Sequence, residues 1–148
     1  MLDIYRIKDR IAEIRKRLNI LSKKFKGISK DELLGDESLN AEAERHLEVA
    51  IQACLDIASH LVSSLGLDKP EVNSHVYYSL AKENIIPGDF ADIMVQMTGY
   101  RNILAHEYLK IDKEETYKNI NSKLEYISKF TEYVEELIKK VSKTSNKK

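Results

Sequence analysis

The first 26 residues read MLDIYRIKDRIAEIRKRLNILSKKFK. Ile4, Ile7, Ile11, Ile14, Leu18, Leu21 and Phe25 follow one another in alternating steps of three and four residues. That spacing lays all of them along one side of a 3.6-residue helix. The segment therefore predicts a helix over 2–25, roughly 36 Å long at ~1.5 Å per residue, stopped by Gly27. A rod of that length with an unbroken apolar seam has to be covered by other helices.

The same reading extends along the chain. Over 38–65 the seam is Ala43, Leu47, Ala50, Cys54, Ile57 and Leu61, widened by Ile51, Ala58 and Leu65, and Gly66 closes the helix. A wide stripe touches more than one neighbour. Over 112–141 the seam is Tyr117, Ile120, Leu124, Ile127, Thr131, Val134, Ile138 and Val141, which predicts a single long helix with Asp112 as its N-cap and Glu114 and Glu115 in its first turn. Between these, Pro70 opens a loop, Ser74 reads as the cap of a short helix through Glu83, and Pro87 starts a helix carrying Phe90, Ile93, Met94, Met97 and Leu104. No stretch alternates as a strand does. The expected fold class is all-α: a bundle of four or five helices in one domain over 1–141, followed by a polar, disordered tail over 142–148. Stripes this wide on a chain of 148 residues also predict a homodimer.

Composition narrows the function classes. Lys plus Arg is 24 and Asp plus Glu is 24, which excludes a globally basic nucleic-acid binder. With 32% charged and 43% hydrophobic residues, the chain is too apolar for disorder and too charged for a membrane protein. The first residues carry charges instead of an apolar signal core, and Cys54 is the only cysteine, so the expected location is the cytoplasm. No phosphate-binding loop, dinucleotide fingerprint or zinc spacing is present. His46 and His60 lie fourteen apart, without a partner histidine one turn away, and read as structural or surface groups, so neither metal nor cofactor is expected. Cys54 lies on an apolar seam and reads as core.

Charge is unevenly distributed. Residues 1–30 hold ten basic and three acidic residues; residues 31–72 hold two basic and ten acidic ones. Two packed helices with complementary surfaces give that pattern, and so does a basic stripe, including Arg6, Arg10, Lys16 and Arg17, that attracts a polyanion.

One stretch is unlike a solvated helix face: Arg101-Asn102-Ile103-Leu104-Ala105-His106-Glu107-Tyr108. It gathers a guanidinium, an amide, an imidazole and a phenol at the end of an apolar helix. Asn102 and His106, four apart, share a face, so the amide is placed to orient the ring. Arg101 and His106, five apart, diverge by about 140°. They converge only if the helix ends near Ala105, if Arg101 curls over, or if a second chain supplies the partner group. The chemistry-free alternative is a buried polar cluster that closes the helix.

The string RNILAHEY resembles the signature of the HEPN superfamily: Arg, a polar residue, three variable residues, then His. Arg101, Asn102 and His106 match it in order, and the extension through Tyr108 resembles its HepT-like toxin branch. The segment from Ala43-Glu44-Arg45-His46-Leu47 to Asp56-Ile57-Ala58-Ser59-His60 is similar to that branch as well, and the likeness covers nearly the whole chain. The resemblance implies a toxin of the type VII-like toxin–antitoxin kind. It would be a metal-independent endoribonuclease, acting on tRNA or mRNA as a homodimer and leaving 2′,3′-cyclic phosphate ends. Arg101, Asn102 and His106 would be catalytic, with RNA contacts from Arg6, Arg10, Lys16 and Arg17. It further implies an MntA-like nucleotidyltransferase antitoxin that attaches AMP to Tyr108. The alternatives are a non-catalytic HEPN module that binds a nucleotide or a nucleotidyltransferase, and a structural helical dimer.

Overall fold

A computed structural model of the chain describes residues 2–146, and among these every regular element is helical. Seven α-helices follow in order: α1 (Ile4–Ile20), α2 (Lys30–Gly35), α3 (Glu37–Ser64), α4 (Val76–Lys82), α5 (Gly88–His106), α6 (Lys113–Ser122) and α7 (Leu124–Asn146). The all-α expectation holds, with more elements than the four or five predicted. No helix among the described residues is long and apolar enough to cross a membrane.

α1 is capped by Asp3, whose carboxylate accepts the Arg6 amide at 3.0 Å. Its rod continues as one π-helical turn, Leu21–Phe25, and the wider turn leaves both Leu21 and Phe25 in the core. The seven seam residues of the opening stretch behave as predicted, with Ile4 only partly buried at the helix start.

α3 is the central rod and packs against α1, α4, α5 and α7. Asp36 caps it through the Leu39 amide at 3.1 Å. Ala43, Leu47, Ala50, Ile51, Cys54, Ala58 and Leu61 are all fully buried, whereas Leu65 at the helix end is exposed, so the stripe stops one turn earlier than predicted. Gly66, at φ +67, ends the helix in the left-handed region that glycine enters without strain.

One helix went unread, and two expectations need correction. A short helix, α2, occupies residues 30–35, with Ser29 capping it through the Glu32 amide at 3.2 Å. Only Leu33 of α2 is buried, so it leaves no apolar period in the sequence. Ser74 caps nothing: it sits in a 3-10 turn, Asn73–His75, that leads into α4. Residues 112–141 are two helices that break at Lys123. Asp112 caps the first, as expected, through the Glu114 amide. Near the break Asn121 and Ser122 turn their side chains back onto the Tyr117 and Lys118 carbonyls at 2.9 and 2.6 Å. Such back-bonding competes with the helical ladder and lowers helix propensity. α7 then runs on to Asn146, into the stretch read as a polar tail; residues 147–148 lie outside the described residues.

The complementary-surface reading of the charge pattern is what α1 and α3 display. Arg10 pairs with Asp56 at 3.5 Å, and Lys24, just past α1, pairs with Glu42 at 2.7 Å. His46 on α3 bonds Arg17 on α1 at 3.1 Å, and the Asp3 backbone N–H donates to His60 Nε2 at 2.9 Å. The two histidines thus join helices, as the structural reading of them required.

Candidate functional site at the end of α5

α5 is held against the bundle up to the start of the polar motif. Phe90, Met94, Met97 and Tyr100 are buried along it, and Leu104 packs on the core. Tyr100, one residue before Arg101, bonds Thr116 on α6 through its hydroxyl at 2.6 Å in a buried pair. Burial pushes that phenol above its ordinary range, so it stays protonated. The helix therefore reaches Arg101 as a fixed rod. It ends at His106: Glu107 leaves helical geometry at φ −132, and a 3-10 turn, Tyr108–Lys110, follows.

The motif side chains go different ways. Arg101 is half-buried and lines a cavity of about 430 Å³ between α1, α3 and α5. Its Nη1 donates to Asn102 Oδ1 at 3.2 Å, and its Nε is buried with no partner. Arg10 and Arg45 line the same cleft, as do the carboxylates of Asp9, Glu13, Glu48 and Asp56. Asn102 is exposed and holds Arg101 instead of orienting the imidazole as expected. His106 is exposed on the last residue of α5, with no hydrogen bond or ion pair among the described residues. Tyr108 is 75% exposed and its neighbour Leu109 86%. The motif is thus an open surface group, which rules out the buried polar cluster.

Arg101 lines this cleft and His106 does not, so the divergence read from the sequence persists in the structure. Among the four basic residues expected to touch RNA, Arg10 shares the Arg101 cleft. Arg6 and Lys16 are exposed on α1. Arg17 instead turns to Glu13 at 2.9 Å and to His46. Cys54 is buried and burial pushes its thiol up, which removes it as a nucleophile. No group of three or more His, Cys, Asp or Glu that could hold a metal occurs among the described residues. Sequence reasoning missed the α3 wall of the cleft, above all Gln52 and Asp56. These lie four apart on one helical face, and the amide of Gln52 donates to Asp56 Oδ1 at 2.8 Å.

Residues 7–134 match the family model described as ribonuclease HepT-like. The chain belongs to the HepT-like family. The tRNA nuclease HepT of Aphanizomenon flos-aquae is 31% identical over 132 residues, spanning 86% of this chain and 89% of that protein. The mRNA nuclease HepT of Shewanella oneidensis is 26% identical over 99 residues, spanning 67% of this chain and 74% of that protein. In fold, the chain superposes with a TM-score of 0.80 on the tri-AMPylated Shewanella oneidensis HEPN toxin solved in complex with MNT antitoxin, covering 88% of this chain and 96% of that one at 23% identity. The HEPN-type bundle expected for a HepT-like chain is the one observed.

Proposed function

We propose that this chain is the toxin of a toxin–antitoxin pair, an endoribonuclease that needs no metal and uses Arg101, Asn102 and His106. The observation that carries the reading is the placement of the motif. Arg101 opens into a polar cleft while His106 stands free at the helix end, where a phosphodiester strand can approach. The substrate's own 2′-OH attacks the adjacent phosphorus, the P–O5′ bond breaks, and the products are a 2′,3′-cyclic phosphate and a 5′-hydroxyl. The His106 imidazole can take the 2′-OH proton or give one to the departing 5′-oxygen. Arg101 offers guanidinium N–H groups to the charge that builds on phosphorus. Asn102, by accepting from Arg101, keeps that guanidinium in place. The family match and the two nuclease relatives support this class of reaction.

In the same reading Tyr108 is the control point. Its exposed phenol attacks the α-phosphorus of ATP and pyrophosphate leaves. No cluster of metal ligands lies beside Tyr108 among the described residues, so the nucleotidyltransferase partner has to bring the metal. The AMPylated relative bound to its antitoxin supports this part.

Purified protein incubated with total tRNA tests the catalytic claim through the fragment ends. Cyclic phosphate ends are expected, unchanged by EDTA. His106→Ala and Arg101→Ala should each lower cleavage by at least ~100-fold, as removal of an acid–base or transition-state group does. Loss of activity on chelation with recovery on adding a divalent ion overturns the metal-free mechanism. Equal cleavage by His106→Ala and the unsubstituted chain overturns the role of His106, and no cleavage by the unsubstituted chain favours the non-catalytic HEPN module.

A further inference from the structure

The cleft that Arg101 lines holds three guanidinium groups and four carboxylates. A cleft of that composition repels a phosphate unless its carboxylates are engaged. Most of them are. Glu13 pairs with Arg17 at 2.9 Å, and Glu48 lies 3.8 Å from Arg45. Asp56 is tied twice: Oδ1 accepts from Gln52 on its own helix, and Oδ2 lies 3.5 Å from Arg10 Nε on α1. Gln52 thus fixes the carboxylate, and the carboxylate fixes the arginine. Arg10 approaches Asp56 through Nε, and the Nη edge of a planar fork can take another oxyanion. A long, flexible side chain held in this way loses less rotamer freedom when it binds a ligand.

We propose that Asp56, braced by Gln52, is a positioning residue that aims Arg10 into the Arg101 cleft. The ligand of Arg10 there is the backbone phosphate next to the scissile one on a single-stranded RNA. The identity of the ligand rests on the ribonuclease reading. Arg101 and Arg10 then hold successive phosphates of one strand, one from α5 and one from α1, and Asp56 acts on RNA only through Arg10.

Direct binding keeps this separable from catalysis. The His106→Ala protein is titrated with a fluorescein-labelled single-stranded RNA oligonucleotide, followed by anisotropy across a range of salt. In that background Arg10→Ala should weaken binding roughly tenfold and lower the slope of log Kd against log salt by about 0.7, the loss of one phosphate contact on a single strand. Asp56→Asn should also weaken binding, although it removes a negative charge from the cleft. In an Arg10→Ala background the same substitution should have no effect or should tighten binding. Gln52→Met, which leaves every charge in place, should give a smaller loss of the same sign, and Arg10→Lys should recover part of the affinity. Tighter binding by Asp56→Asn with Arg10 present overturns the proposal, since the carboxylate would then only repel. An equal loss with and without Arg10 also overturns it, since the role would then be structural. Absence of RNA binding by the His106→Ala protein overturns it too. Cleavage by the otherwise unsubstituted chain is assayed beside this. If binding follows the cycle without any cleavage, the nuclease reading fails alone. If cleavage occurs and Arg10→Ala changes neither KM nor kcat, the present proposal fails alone.

Discussion

At the scale of single residues, Tyr108 carries the sharpest expectation. Its ring is largely in water, on a 3-10 turn that starts two residues after His106, so its hydroxyl is open to an enzyme that modifies it. Tyr100 and Tyr77 are enclosed in the core, with phenols that burial holds protonated and out of reach. An AMP on Tyr108 adds a charge of about −1 and a purine beside the His106 imidazole, and both the charge and the bulk would oppose an incoming RNA strand. With ATP, Mg²⁺ and the nucleotidyltransferase partner, intact-mass measurement should find additions of whole AMP units on the chain and a parallel loss of cleavage. Tyr108→Phe should keep its nuclease activity under the same treatment, because it lacks only the acceptor oxygen. Silencing of Tyr108→Phe, or peptide mapping that puts the mass on another tyrosine, sinks this form of control.

At the scale of elements, the contact between α1 and α3 sets a pH dependence. Burial is the main cause holding both His46 and His60 below their ordinary value of 6.5, with Arg17 beside the first and Arg6 beside the second adding to it. The folded chain therefore keeps these rings neutral where the unfolded chain takes up protons. For a base with a depressed folded pKa, stability is complete above the unfolded value and declines as pH falls below it. The melting temperature should drop between about pH 7 and pH 5. Glu42, lowered chiefly by its bond to Lys24, and Glu13, lowered chiefly by Arg17, add a second decline below their usual 4.5. Calorimetry across this range should find a flatter upper step in the His46→Gln/His60→Gln double variant; a slope equal to that of the unsubstituted chain refutes the assignment. The same elements bear on how much of the fold was legible. The long seams were readable because most apolar side chains on them are buried, so period and burial coincide. The break at Lys123 was not, because Ile120, Leu124 and Ile127 stay buried on both sides of it and the apolar phase carries across. α2 was hidden for the opposite reason, having one buried residue and no period, although Ser29 and Glu32 have the spacing of a helix start. In the site, the motif could be read because its residues are contiguous. Gln52 and Asp56 could not be attached to it, since only the packing of α1, α3 and α5 brings them to Arg101.

At the scale of the whole molecule, a single chain keeps Arg101 and His106 apart. Arg101 faces a cleft among α1, α3 and α5, while His106 stands at the tip of α5, about 7 Å further along the axis and about 140° around it. Next to that tip Leu109 is 86% exposed. An exposed leucine beside a lone imidazole suits a two-fold contact, in which each surface meets its own copy and the motifs face each other. The expected mass in solution at micromolar concentration is therefore about twice the 17.1 kDa of the chain, and a single-chain mass there counts against the model. Mixing asks the more demanding question. If each working site takes Arg101 from one chain and His106 from the other, a dimer of one Arg101→Ala chain and one His106→Ala chain holds one intact site and one doubly broken site. Two inactive proteins, denatured together and refolded as a mixture, should then regain about a quarter of the unsubstituted activity, since half the dimers are mixed and each of those has one of its two sites intact. If Arg101 and His106 act from the same chain, every site in the mixture lacks one of them and no activity returns. Recovery distinguishes a shared site from a merely dimeric protein, and Leu109→Asp should abolish both the dimer and the recovery while leaving the helical spectrum of the chain intact.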